Sequence, residues 1–299
     1  MFDLSDMVTI LAPTDFSLNA RHATTYAAKL LAHQFHNEGR MILMHVFEAP
    51  SAISEYELNM LHFDTMKTYI RERLEERKNE LKEEVDRHLH IECVATNEGL
   101  LEHIRRVSAH AQVDFITIGL TGSGMGNIFL GSHTVEIAQH AGYPVITVPP
   151  RAEFPEGRGI RKIVFAYDLS AGGKGDINSA SDAVLQPFAR IRNIVQLFGA
   201  ELQILYLWPP KKEDHEQLET QRRLLETQFQ GLRVSFHRLS SRHVVSGIRE
   251  FVRDQQADMI LFILQQQRWP GSLLKLRHTR AMLFRSTVPV LTVPVPAQD

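Results

Sequence analysis

Residues 143–149 read Tyr-Pro-Val-Ile-Thr-Val-Pro, and residues 288–294 read Val-Pro-Val-Leu-Thr-Val-Pro. Two short apolar runs that share Pro, Val, Thr, Val and Pro at the same places mark the ends of two copies of one unit, and self-similarity at a long period decides the architecture before any single motif does. Upstream of these runs the copies still match. Ile104 stands ten residues before Asp114, and Ile248 stands ten before Asp258. Each aspartate opens an apolar run, Phe115-Ile116-Thr117-Ile118 in one copy and Met259-Ile260-Leu261-Phe262-Ile263 in the other. The beginnings match as well. Val8-Thr9-Ile10-Leu11-Ala12-Pro13-Thr14-Asp15 parallels Ile163-Val164-Phe165-Ala166-Tyr167-Asp168, and Met41 to Val46 parallels Leu202 to Leu207.

The offset between matched positions is 153 at Asp15 and Asp168, 161 at Val46 and Leu207, and 144 at Asp114 and Asp258. The second copy therefore carries about eight extra residues before its second strand and lacks about seventeen in the next crossover. The boundaries that follow are 1–152 for the first unit and 158–299 for the second, with Arg151 to Gly159 as the linker and Pro155, Gly157 and Gly159 as its punctuation. Two units also suit 299 residues.

Short runs rich in Val, Ile and Leu, bounded by breakers, read as buried strands. In the first copy they fall at 7–13, 40–47, 91–95, 114–119 and 144–149, with helices at 17–37, 55–88, 98–111 and 131–141. Strands that alternate with helices predict a parallel sheet covered on both faces. The fold class is α/β, as two tandem doubly wound domains. The densely charged stretch 71–87 reads as a solvated helix face laced with i,i+4 pairs, with a partner-binding helix as the other reading.

Composition narrows the function classes. A formal net charge of −2 argues against nucleic acid or anionic lipid as a partner. No apolar stretch reaches the ~20 residues that cross a bilayer. Cys93 is the single cysteine, so no intramolecular disulfide forms. The start Met1-Phe2-Asp3-Leu4-Ser5-Asp6 lacks a basic, apolar leader. A cytoplasmic protein is the expectation. The fifteen histidines show no metal-ligand spacing, and no nucleophile or acid–base pair stands out.

Open parallel sheets bind ligands beyond the carboxyl ends of their strands. There the first copy reads Gly119-Leu120-Thr121-Gly122-Ser123-Gly124-Met125-Gly126-Asn127-Ile128-Phe129-Leu130-Gly131-Ser132, followed by a helix. Glycines let a ligand approach the backbone amides, and a helix N-terminus adds unpaired N–H groups, so the loop suits a phosphate. Ser132 suits a helix cap that also donates to a phosphate oxygen, with His133 beside it, while a flexible connection with an ordinary cap is the other reading. Asp15, at the end of the first strand, suits a ribose hydroxyl or an adenine amino group.

These residues resemble the universal stress protein family over nearly the whole chain, twice. Ala12-Pro13-Thr14-Asp15 resembles the family's first strand and its aspartate, Leu43 to Val46 its second strand, and Gly119-x-x-Gly122 with Gly131-Ser132 its ATP-binding loop. The intervening stretch Ser123 to Leu130 is one residue shorter than is usual in that family. The resemblance implies an adenine nucleotide, ATP or a relative, with or without Mg²⁺. Asp15 would meet its ribose or base, the Val46 backbone its adenine, and Gly119, Gly122, Gly131 and Ser132 its phosphates. It also implies that the two copies pair within the chain as a pseudo-dimer, with further homo-oligomerisation open. The second copy reads Leu264-Gln265-Gln266-Gln267-Arg268-Trp269-Pro270-Gly271 at the loop position, so it is expected to lack the cradle. Ser170 to Asp176 faintly resembles the pyrophosphate loop of ATP pyrophosphatases, with a spacing off by one, and reads as a flexible insertion. Three functions follow. One is a nucleotide-binding stress or regulatory protein. The second is a non-nucleotide adaptor with a relic site. The third, ranked lowest, is a slow ATPase, since phosphate binding alone supplies no base.

Overall fold

A computed structural model of the chain describes residues 7–47, 56–120, 132–168, 182–208, 215–240, 243–264, 281–283 and 285–294. The first half runs β1 (Val8–Pro13), α1 (Leu18–Lys29), β2 (Gly39–Val46), α2 (Tyr56–Glu84), β3 (His90–Thr96), α3 (Leu100–His110), β4 (Phe115–Gly119), α4 (Ser132–His140) and β5 (Val145–Val148). The second runs β6 (Lys162–Asp168), α5 (Asp182–Phe198), β7 (Glu201–Trp208), α6 (His215–Gln228), β8 (Val234–Ser240), α7 (Val244–Asp254), β9 (Met259–Leu264) and β10 (Val290–Pro294). The described strands form one sheet in the order β3-β2-β1-β4-β5-β10-β9-β6-β7-β8.

Within each half the strands are parallel, and the order reverses beside the first strand, as in doubly wound sheets. The halves meet where β5 pairs antiparallel with β10, Val290 opposite Thr147 and Thr292 opposite Val145. The two matching Pro-Val-x-Thr-Val runs are thus each other's partners, which makes the chain an intrachain pseudo-dimer. Both strands are wholly buried, so a central position, with a neighbour on each side, satisfies their backbones. The seam is packed as well as hydrogen-bonded. The Phe35 and Phe198 rings lie tilted at 5.4 Å, Phe115 and Phe198 meet edge to face at 5.7 Å, and the Gln34 amide donates to the Phe198 carbonyl at 2.8 Å. Leu120, just after β4, packs into the apolar cluster of the second half, and Leu264, at the end of β9, packs into that of the first.

Matched residues do matched work. The Asp114 carboxylate accepts from the Thr9 N–H at 2.8 Å, and the Asp258 carboxylate accepts from the Lys162 N–H at 2.9 Å, each tying the approach to β4 or β9 to the first strand of its half. Gln112 and Gln256, after α3 and α7, both take φ of 51°, the left-handed turn that ends a helix.

Two expectations change in detail. Helix 17–37 closes earlier, with α1 ending at Lys29 and a π-helical turn over Leu30–Gln34. The charged stretch in α2 is more than a solvated face. Arg77 is only 3 % exposed, and its guanidinium donates to the Arg21 carbonyl at 2.9 Å, to the Thr25 hydroxyl at 2.6 Å and to Glu80 at 2.9 Å. Its described pairs are i,i+3, or i,i+7 between Arg77 and Glu84, or cross to α1 at Arg21, because a long helix lying on another turns part of its charge inward. The insertion read at 170–176 lies outside the described residues.

Candidate functional site

The carboxyl ends of β1, β2 and β4 open on a cavity of about 210 Å³, walled by the first turns of α1, α3 and α4. Its floor is apolar, with Met44 and Ile118 from the strands and Leu100 and Ile137 from the helices. Its rim is polar, with Thr14, Asp15, Ser17, Asn19, His45 and Thr134. An apolar bed with a few convergent polar groups is the usual make-up of a small-molecule site.

The rim is built by local hydrogen bonds over four residues. The Thr14 hydroxyl accepts from the Phe16 N–H at 3.1 Å, and the Asp15 carboxylate accepts from the Ser17 N–H at 3.0 Å. The Ser17 hydroxyl then caps α1 by accepting from the Ala20 N–H at 3.2 Å. These turns hold Asp15 exposed above the strand end. They also hold Phe16 at φ 60°, a conformation that side chains with a Cβ seldom take and that marks functional loops more often than ordinary ones. The Phe16 ring lies between the His45 ring, at 4.7 Å, and the Arg73 guanidinium, at 5.3 Å. His45 Nδ1 donates to the Thr14 carbonyl at 2.6 Å, so a neutral His45 offers Nε2 as an acceptor.

Gly119 ends β4 where α1 crosses it. A β-carbon there would come 2.4 Å from the Asn19 carbonyl oxygen, so only glycine lets the helix start lie on the strand end. The Thr134 hydroxyl in turn donates to the Gly119 carbonyl at 3.3 Å and fixes α4 against the same strand.

Of the residues singled out in the sequence, Pro13, Thr14, Asp15, Val46 and Gly119 all line this one cavity. Ala12 does not. It is fully buried in the core, because alternation along β1 sends it to the other face of the sheet from Leu11, Ile118 and Ile137. Ser132 opens α4 and His133 follows it, while Gly122, Ser123 and Gly131 lie outside the described residues. His45, Asn19 and Thr134 line the cavity as well, and no motif points to them. The pattern that hid them is ordinary, since each sits inside or at the edge of a regular element.

The universal stress protein family model matches residues 7–149. This half of the chain belongs to the universal stress protein family. The whole chain also has the shape of solved family members. A universal stress protein from Archaeoglobus fulgidus DSM 4304 superposes with a TM-score of 0.64 at 19% identity, covering 96% of this chain and 98% of that one. A putative universal stress protein from Pseudomonas aeruginosa UCBPP-PA14 superposes at 0.52 and 14% identity, covering 97% and 94%. At these identities the likeness speaks for the fold. No curated protein matches. Among the described residues of this universal stress protein fold, no helix is long and apolar enough to cross a membrane, and no cluster of three metal-ligating side chains occurs. Cys93, on β3 against Glu75 and Lys78, has its thiol pushed up to about 12 by burial and then by the Glu75 carboxylate.

Proposed function

We propose that the first half binds an adenine nucleotide in this cavity, ATP or a close relative, and that the protein acts through the bound state as a regulatory or stress-response protein. The observation that carries the reading is the convergence of Asp15, Gly119 and the N-terminus of α4 on one cavity at the switch in strand order of a universal stress protein domain. Met44, Ile118 and Ile137 suit the face of a purine. Asp15, held by Ser17 and exposed, suits a ribose hydroxyl, which a carboxylate binds as an acceptor. The start of α4 suits phosphate oxygens through its first N–H groups, and in the sequence that start is Ser132 and His133, with the loop glycines Gly122 and Gly131 before them. The reading includes no catalytic step.

The test is calorimetry of ATP and ADP with the full chain, with and without Mg²⁺, alongside mass spectrometry of small molecules released on denaturation. One nucleotide per chain is expected, weakened at least tenfold by Asp15→Ala, about 1.4 kcal/mol. No heat from either nucleotide and none released would overturn the proposal and leave an adaptor with a relic site as the working reading.

A further inference from the structure

A second groove lies on the opposite edge of the sheet, at the amino ends of β4 and β5. Its volume is about 430 Å³, and its wall on the far side is α5 of the other half, through Arg190, Asn193 and Leu197. It has no part in the nucleotide reading above. Its meaning comes from the internal repeat, because at the counterpart place in the other half the linker lies between Asp258 and α1.

The filled copy lies between Asp258 and α1. The linker that leads into β6 runs through it. Arg158 makes a two-pronged ion pair with the Asp258 carboxylate, Nη1 donating to Oδ2 at 3.0 Å, and leaves Asp258 buried at 6 % exposure. Phe154, four residues earlier, packs on Tyr26 at 5.5 Å and on His33 at 6.0 Å. Glu156 pairs with Lys29 at 2.5 Å. The linker thus rests on Tyr26, Lys29 and His33, which stand at i, i+3 and i+7 along one face.

The groove beside Asp114 sets the counterpart carboxylate against the counterpart helix. Asp114 is the counterpart of Asp258, and Arg190, Asn193 and Leu197 stand at the same i, i+3 and i+7 spacing on α5. Here Asp114 is exposed, and among the described residues no cation pairs with it. Leu197 is 43 % exposed, one of the few large apolar side chains left so. A carboxylate, an apolar patch and a helix face are present here, the same kinds of group that hold Arg158 and Phe154 on the other side.

We infer that the groove at Asp114 is a docking site for an extended peptide that carries an aromatic residue and, four residues on, an arginine. The arginine forks onto Asp114, as Arg158 does onto Asp258. The aromatic ring lies over Leu197 and the Arg190 guanidinium, where a cation adds to the apolar contact. The guanidinium supplies the charge that Asp114 lacks, in the planar geometry that suits a carboxylate.

The probe is the protein's own linker as a separate peptide, residues 152–161, labelled with a fluorophore and titrated with the full chain by anisotropy. Saturable binding is expected. Asp114→Asn keeps the acceptor for the Thr9 N–H while removing the charge, and is expected to weaken binding at least tenfold. So is Leu197→Glu, an exposed position whose change leaves the core intact, and so is Arg158→Ala within the peptide. Protection from hydrogen exchange is expected at residues 142–144 and along α5. No saturable binding at millimolar peptide overturns the inference, as does binding that neither chain variant weakens. Binding that appears only in a chain lacking residues 1–6 also overturns it, since the groove would then belong to the chain's own start.

Discussion

Gly119→Ala tests whether the site and the fold share one joint. The added β-carbon would sit 2.4 Å from the Asn19 carbonyl oxygen and 2.7 Å from its carbon, both backbone atoms at the start of α1. Carbon and oxygen rest about 1 Å further apart than this, so the helix start must lift from the strand by roughly that amount. Overpacking of this kind costs about 1–3 kcal/mol. At about 2–4 °C per kcal/mol, the melting temperature is expected to fall by roughly 2–12 °C, measured by calorimetry or circular dichroism. The same displacement moves Asp15, Ser17 and Asn19, which share the cavity rim with Gly119. Nucleotide affinity is therefore expected to fall at least tenfold in protein that is still folded. Gly99→Ala is the control, since a β-carbon at Gly99 meets nothing within 4 Å. A Gly119→Ala variant that melts within about 1 °C of the parent and binds as well would refute the joint, because it would show that α1 lies on β4 with room to spare.

Arg77→Met removes a buried guanidinium and its bonds to the Arg21 carbonyl, the Thr25 hydroxyl and Glu80, while Glu80 keeps Arg21 and the Arg21 carbonyl keeps the Thr24 hydroxyl, so a loss of about 1–3 kcal/mol is expected in chemical denaturation. Arg158→Ala strips the only described side-chain cation from Asp258, which keeps the Arg161 and Lys162 N–H groups, so about 1–2 kcal/mol is expected, with faster proteolysis across residues 152–161. The Cys93 thiol stays protonated in the folded protein up to about 12, whereas in the unfolded chain it ionises near pH ~8.5. The folded state therefore holds this proton more tightly, and the stability it contributes is full below pH ~8.5 and lost as pH rises toward 12. Cys93→Ala should flatten that alkaline decline in urea melts, and iodoacetamide at pH 8 should label the native thiol far more slowly than the unfolded one.

The duplication was legible because its signal is repeated. Asp114 and Asp258 stand before matching apolar runs, and in the folded chain both receive an N–H from the first strand of their half. The strand ends were legible for a similar reason: a parallel strand buried on both faces reads as an unbroken apolar run, so Asp15, Val46 and Gly119 fall where the runs stop. What stayed hidden depends on distance in space. Nothing in the sequence around Gly119 shows that Asn19 lies on it, a hundred residues away, so the glycine reads as loop flexibility when its described role is helix packing. Arg77 reads as surface for the same reason, since its partners on α1 are some fifty residues off. The break in α1 after Lys29 has no glycine or proline to announce it.

The linker shows why a duplicated fold need not carry duplicated sites. A connection between two units runs once, so it covers one of two equivalent grooves and leaves the other open. Asp258 and Asp114 tie their halves together in the same way, yet one is enclosed by Arg158 and the other faces outward. The strand ends differ too, through side chains. Tyr167 and Tyr206 occupy the places of Thr14 and His45 in the repeat. Both are buried, Tyr167 donating to the Gln221 amide at 2.9 Å and Tyr206 stacked on Phe236. Rings that bury area in the second half stand where the first half keeps small and polar groups around a cavity. The second half is thus packed where the first keeps a cavity, and the antiparallel β5–β10 pair sets the two in one sheet, so a ligand proposed for the first half would lie in the same sheet as a filled second half.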